Sequence, residues 1–339
     1  MRLTAAFFTL LVCFTGCTRA PEKTSRQGYV LGTVCSITSY GASEDLYDDI
    51  FLALKDIEDR MRVSGDSSEV ARINAAAGLN AVEVSPDTAS LIRRAADIGS
   101  AAPGTFDVTI GPLVALWGIG IKEHPAVPDP EAIKELLPLI GSSRISFDGD
   151  SVYLPEAGMG IDLGGIAKGY AADIAKDMLM KNSVTHALID FGGNILTVGT
   201  KPDGNPWRIG IQDPSKPRGQ YVGIVELVDL AAVTSGPYER FFIQDGVRYH
   251  HILDPATGYP AENGVVSATV ITAESVVGDA LSTMSYILGL DGVSGMLSMF
   301  PGTEAIIITR EKEIFVTPGI QKRFTLADER YSLFVIPRE

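Results

Sequence analysis

Cysteine is scarce in this chain: 339 residues carry three, Cys13, Cys17 and Cys35. Two fall within the first 17 positions and only Cys35 lies in the body. That excludes an intramolecular disulfide framework and any zinc site built on several cysteines. Cys35 sits in an alternating, strand-like pattern and reads as a small buried hydrophobe. Long apolar runs are also missing; after the short run from Leu3 to Phe14, nothing reaches membrane-spanning length. Positive charge is in deficit, with 28 Lys and Arg against 42 Asp and Glu and a formal net charge of −14. So acidic a chain gains nothing from a phosphate backbone, which argues against nucleic acid as a partner. The usual nucleotide fingerprints are absent. There is no Walker A motif, and Gly158-Met159-Gly160 begins a G-x-G-x-x-G in which Leu163 occupies the third glycine position. No H-E-x-x-H occurs, and Ser235 lies in Thr234-Ser235-Gly236 rather than in a G-x-S-x-G elbow. No repeat period or low-complexity block is visible.

What is present begins at the N-terminus. Arg2, the apolar run and Thr15-Gly16 before Cys17 have the layout of a secretory signal ending in a lipoprotein cleavage site. Residues 1–16 are then the signal peptide, and 17–27 an acylated Cys17 with a polar tether. Residues 28–339 are one large domain, exported and held at a membrane surface by its acyl chains, each buried methylene adding about 0.8 kcal/mol.

Along the body, Tyr29 to Tyr40 alternates and predicts an opening strand. Ser43 offers an N-cap, and Leu46, Ile50, Leu54, Ile57 and Met61 recur at helical spacing to about Arg62. Ser67 caps a shorter helix stopping near Gly78, Ser85-Pro86 opens a third, and Asp129-Pro130 a fourth ending near Pro138. The second half is richer in strand, at 145–147, 152–154, 187–190, 207–211, 222–228, 265–271, 305–309, 314–317 and 331–336. Helices over 166–181 and 275–288 interrupt it. Antiparallel-looking stretches with segregated helices predict an α+β fold rather than a doubly wound sheet.

Polar residues gather in glycine-flanked blocks. Gly104-Thr105-Phe106-Asp107 leads to Leu116-Trp117-Gly118. Asp162-Leu163-Gly164-Gly165-Ile166-Ala167-Lys168-Gly169-Tyr170 follows a strand and opens a helix. Asp190 to Asn194, Thr234-Ser235-Gly236, Tyr249-His250-His251-Ile252-Leu253-Asp254-Pro255 and Gly278-Asp279-Ala280-Leu281-Ser282-Thr283 follow. Each alone is compatible with an ordinary turn or core position. Together they suit a pyrophosphate substrate, whose two negative charges call for a hard cation held by oxygen. Asp279 and Thr283, four apart on a helix, share a face. The helix start at Ile166 offers free N–H groups to phosphate, and Lys168 adds a cation. Either His250 or His251 has the chemistry to take a proton from an attacking hydroxyl.

In this order the blocks resemble the ApbE family, the FAD:protein FMN transferases, from Leu31-Gly32-Thr33 to about Leu290. They include Asp66-Ser67-Ser68-Glu69 through Asn74 and Gln212-Asp213-Pro214. The resemblance implies an α+β fold related to the tunnelling fold, with mixed and antiparallel sheets. It also implies a cleft that binds FAD with Mg²⁺. Asp279 and Thr283 would supply side-chain ligands to the metal and Gly165 a backbone carbonyl. Leu31, Thr105, Phe106, Asp107, Asp162, Lys168 and Leu253 would line the FAD site. A Thr or Ser hydroxyl of an acceptor would attack the FMN phosphorus, with His251 the favoured base and His250 the alternative, and AMP would leave. The acceptors implied are flavin-carrying subunits of Rnf- and Nqr-type redox pumps, at the periplasmic face of the inner membrane. Two departures stand out: Ser64-Gly65 replaces an aromatic able to stack on flavin, and Ser282 stands where some relatives have a second carboxylate. The competing readings are an FAD pyrophosphatase, with water as acceptor, and a non-catalytic flavin-binding lipoprotein.

Overall fold

A computed structural model describes residues 22–336; the signal segment and Cys17 lie outside the described residues. Strands β1 (Lys23–Val30) and β2 (Thr33–Tyr40) pair antiparallel, so the single strand expected over 29–40 is a hairpin. Pairing starts at Lys23, inside the stretch expected to be a tether. The side chains of Lys23 to Gln27 are polar or mostly exposed, but a strand needs only its backbone N–H and C=O groups to join a sheet edge. The turn, Leu31-Gly32, has φ of 57° and 68°, the doubly left-handed arrangement that suits the twist of a two-residue hairpin.

Helix α1 (Glu44–Met61) starts as expected, the Ser43 hydroxyl accepting the Leu46 N–H. α2 (Glu69–Ala75) is capped by Ser68, one residue later than the sequence suggested. After β3 (Val82–Glu83) comes α3 (Pro86–Ala101), capped by Ser85 with Pro at its first position. α4 (Gly111–Trp117) was not foreseen, being too short to show periodicity. α5 (Pro130–Leu136) runs into a 3₁₀ turn, Leu137–Leu139. β4 (Ser146–Asp148) and β5 (Ser151–Tyr153) precede α6 (Ala167–Lys181), β6 (Ala187–Phe191) and β7 (Asn194–Val198). Then follow β8 (Trp207–Gln212), β9 (Tyr221–Leu227), β10 (Ala231–Ser235), β11 (Phe241–Gln244), β12 (Val247–His250) and β13 (Val265–Thr272). The chain closes with α7 (Ser275–Ser298), β14 (Glu304–Thr309), β15 (Glu313–Val316), β16 (Phe324–Leu326) and β17 (Ser332–Val335). The first run of α7 ends where expected: Gly289, at φ 70° and ψ −173°, kinks the helix before it resumes to Ser298.

Nine strands make the main sheet, in the order β1-β2-β6-β7-β10-β13-β14-β15-β17, antiparallel throughout except for the parallel pair β15 and β17. Helices α1, α3, α6 and α7 cover one face. The three-stranded sheet β16-β9-β8 covers the other. The fold is α+β, in three layers with two cores. β14 serves both: Ala305 and Ile307 face the helices, Ile306 and Ile308 the small sheet. Each buried isoleucine contributes roughly 1.5–3 kcal/mol of apolar transfer. In β13 a bulge between Val265 and Ser267 resets the alternation, so that Val265, Ala268 and Val270 all point to the helices. A third small core gathers Leu113, Trp117, Ile119, Ile133 and Leu253 beneath the separate β11–β12 hairpin. Cys35 is fully buried, its thiol donating to the Val30 carbonyl, and burial pushes its pKa up to about 12. It is the inert core residue its pattern suggested. Among the described residues no helix is long and apolar enough to cross a membrane.

Candidate active site

The site is built first by the contact of α6 with α7. Gly169, in the first turn of α6, has an N–H with no intrahelical acceptor. It donates to the Asp279 carboxylate of α7 at 2.9 Å. Only glycine permits this approach, because a Cβ at position 169 would stand 2.3 Å from the Ser275 carbonyl oxygen. Lys168 Nζ lies 3.3 Å from Asp279 Oδ1 and 3.3 Å from the Gly164 carbonyl. Asp279 is thus a nearly buried carboxylate held by one backbone donor and one ammonium. One turn on, Thr283 Oγ1 is 3.3 Å from Ser235 Oγ at the end of β10, and Ser235 Oγ is 2.8 Å from Ser282 Oγ.

The loop entering α6 is fixed from two sides. Asn74 of α2 accepts the Ile161 N–H at 2.6 Å and donates to the Ile161 carbonyl at 2.9 Å. The Asp162 N–H donates to the Val108 carbonyl at 2.8 Å. Asp162 then turns its carboxylate back onto the Gly164 N–H at 2.7 Å. Burial raises the pKa of Asp162, against the lowering by that N–H, Arg240 and Lys168. A Cβ at Gly165 would stand 3.0 Å from the Phe106 ring, so the aromatic closes over this loop.

The opposite border is the stem of the β11–β12 hairpin. The Arg240 carbonyl accepts both the His251 N–H at 3.1 Å and His251 Nδ1 at 3.2 Å. A carbonyl can only accept, so Nδ1 carries the proton and Nε2 keeps its lone pair, with no protein partner among the described residues. Burial, and next the Arg240 guanidinium, push the His251 pKa down to about 4, so the ring is neutral at physiological pH. His250 differs in every respect. Its ring is almost fully buried, Nδ1 accepts the Ile252 N–H at 3.3 Å, and Nε2 donates to the Ala261 carbonyl at 3.1 Å. Tyr286 stands edge-on to it at 5.5 Å. Both nitrogens of His250 serve the fold.

The other residues singled out in the sequence are divided. The Leu31-Gly32 turn lies beside Arg240, whose Nη2 is 3.5 Å from the Gly32 carbonyl. Thr105 turns its hydroxyl to the Ala102 carbonyl at 2.6 Å. The Asp107 carboxylate is occupied by backbone and hydroxyl donors, Thr109 N–H and Oγ1 on one oxygen and Ser142 N–H on the other. Leu253 packs its side chain into the Trp117 core. In the Gln212-Asp213-Pro214 block, Asp213, fully buried, accepts Ser215 and the Tyr331 hydroxyl, tying the C-terminal segment to the small sheet. Sequence reasoning missed Asn74's role, Arg240 and the need for Gly169. A glycine inside a helix costs about 1 kcal/mol relative to alanine, which alone marked position 169 as a close approach.

Asp279, Thr283 and the Gly165 carbonyl are hard oxygen donors of the kind Mg²⁺ takes. Among the described residues no group of three or more His, Cys, Asp or Glu side chains gathers to hold a metal. The set therefore offers one anionic ligand, and an ion there would draw its remaining oxygens from substrate and water.

Fold and site define an α+β enzyme whose candidate site sets oxygen donors and a lysine on helices, and a neutral histidine on a hairpin stem. The chain belongs to the ApbE family, whose profile matches residues 31–307. It is 36% identical over 329 residues to the FAD:protein FMN transferase of Treponema pallidum (strain Nichols), covering 91% of each chain. It is 36% identical over 311 residues to that of Klebsiella pneumoniae (strain 342), covering 91% of this chain and 96% of the relative. Among solved structures, the ApbE protein of Thermotoga maritima superposes with a TM-score of 0.81 at 34% identity, over 89% of this chain and 99% of that one. The flavin transferase ApbE of Vibrio cholerae superposes with a TM-score of 0.80 at 29% identity, over 90% and 100%.

Proposed function

We propose that this protein transfers the FMN half of FAD onto a Thr or Ser hydroxyl of an acceptor flavoprotein, releasing AMP. The observation that carries the reading is His251, neutral and with Nε2 open, within electrostatic range of Lys168 in a chain matched over its length by FAD:protein FMN transferases. The acceptor oxygen attacks the FMN-side phosphorus and its proton passes to His251 Nε2. The bond from that phosphorus to the bridging oxygen breaks, its electron pair leaves with AMP, and FMN stays on the acceptor as a phosphodiester. The Arg240 carbonyl holds the ring through Nδ1 as charge grows on it, the role of an orienting acceptor beside a general base. Lys168 offsets negative charge on the pyrophosphate, and Phe106 shields the loop at Gly165 from water. Asp279, Thr283 and the Gly165 carbonyl would hold Mg²⁺, which when bound supplies further neutralisation of the diphosphate.

The signal-like pattern ending at Cys17 supports export and lipid anchoring at the periplasmic face of the inner membrane. The family resemblance supports a flavin-carrying subunit of an Rnf- or Nqr-type pump as acceptor. The deciding experiment incubates protein lacking residues 1–17 with FAD and Mg²⁺, with and without such an acceptor, and follows both products by mass spectrometry. An acceptor mass increase equal to FMN, with AMP released in step, is the expected result. AMP and free FMN with an unmodified acceptor would instead make the protein a pyrophosphatase, and intact FAD throughout would make it a flavin carrier. Radiolabelled palmitate incorporated by the full chain but not by Cys17→Ala tests the anchor.

A further inference from the structure

The two cations bordering the cleft are not equivalent. Lys168 is committed to Asp279 and the Gly164 carbonyl. The Arg240 side chain is exposed and forms no ion pair among the described residues; its guanidinium makes a single 3.5 Å contact with the Gly32 carbonyl. Its sequence neighbour Glu239 does not neutralise it, since that carboxylate is taken by Arg218 at 3.0 Å. In a chain of net charge −14 with 42 carboxylates, a guanidinium without an ion-pair partner beside His251 is free to receive an anion.

The backbone makes room for it on both sides. Gly32 and Gly120 both have positive φ, at 68° and 74°, and a Cβ at either would press on the Arg240 side chain, 3.1 Å from Nη2 and 2.8 Å from Cδ respectively. The Arg240 backbone is in turn locked to His251 by two hydrogen bonds to one carbonyl. The side chain therefore starts from a backbone tied to His251, and its charge acts on both His251 and Asp162.

Building on the transferase reading, we propose that Arg240 is a substrate-binding residue that takes a phosphate oxygen of the dinucleotide and holds that anion beside His251. Its side chain and backbone then have separate duties. The guanidinium binds the anion, while the carbonyl, which survives any substitution, continues to aim the histidine.

The test is flavin fluorescence titration of the full chain with FAD and, separately, with riboflavin, which carries no phosphate, for wild type, Arg240→Gln and Arg240→Lys. Arg240→Gln should raise the Kd for FAD at least about tenfold, and Arg240→Lys, which keeps the charge but loses the fork, roughly threefold. Riboflavin binding and the melting temperature should be unchanged. An Arg240→Gln protein that binds FAD within about twofold of wild type overturns the proposal. So does an equal loss of riboflavin binding, which would make Arg240 structural. A wild-type protein that binds no FAD at all overturns the transferase reading, and this one with it.

Discussion

The two ends of the cleft are built on opposite plans. At one end Asp279 and Lys168 sit on α7 and α6, helices in backbone contact at Gly169, and the carboxylate is bonded from two directions. At the other, Arg240 and His251 flank a hairpin whose strands pair only with each other. That hairpin is seated by aromatic packing, Phe242 stacking on Tyr249 at 5.3 Å and both against Trp117. The helix end fixes charge; the hairpin end leaves a lone pair and a guanidinium open. A group that must hold a cation in place gains from rigid, saturated surroundings. A group that must accept a proton needs one nitrogen tied and the other free.

Removing a group from each end separates the plans. The largest expected effect is that of Asp279→Ala, which would delete the anionic donor of the proposed Mg²⁺ site and should abolish Mg²⁺-dependent turnover. Turnover persisting at ordinary magnesium concentrations would remove Asp279 from the metal site. His251→Ala should lower kcat by about 10²–10⁴ while FAD binding, measured by fluorescence, persists; equal loss of binding would make the histidine structural. Gly169→Ala addresses the helix contact alone. Its new methyl meets the Ser275 carbonyl, so α6 and α7 must part, at a cost of about 1–3 kcal/mol in denaturant unfolding. An unchanged midpoint would mean that the helices are not tightly apposed.

Legibility in the sequence also differed between the ends. The helix end was readable, because Ser43, Ser85 and Pro86 announce helix starts and the spacing of Asp279 and Thr283 puts both on one face. The strands β7 and β10 were not. Ile195 and Leu196, or Ala232 and Val233, face different cores, so these strands show no alternation to betray them. Choosing between His250 and His251 was beyond the sequence, because both are histidines at the end of one strand. What separates them is which carbonyls and N–H groups the fold brings to each ring: Ala261 and Ile252 for one, Arg240 for the other. Arg240 was passed over because an isolated arginine is unremarkable until its missing partner is seen. Residues 23–27, expected within a tether, are in β1 because the strand pairs through its backbone, which side-chain polarity does not report.

The smallest effect sharpens the hairpin end. His251 is driven from the ordinary 6.5 to about 4 by burial and then by Arg240, with His250 and Lys168 adding in the same direction. A depressed histidine pKa means that the folded state prefers the neutral ring. Its stabilising contribution is complete above 6.5 and is lost as pH falls towards 4, a loss that His251→Ala should remove from the melting profile. In the free enzyme the acid limb of kcat/KM should therefore lie near 4. Phosphate oxygens bound at Arg240 and Lys168 would offset those two cations, so the acid limb of kcat, which reports the substrate complex, should lie higher. That shift would bring the base closer to working pH only once substrate is in place. A kcat limb at or below the kcat/KM limb would mean that the bound anion does not face these cations, and the two ends of the cleft would then act on different parts of the substrate.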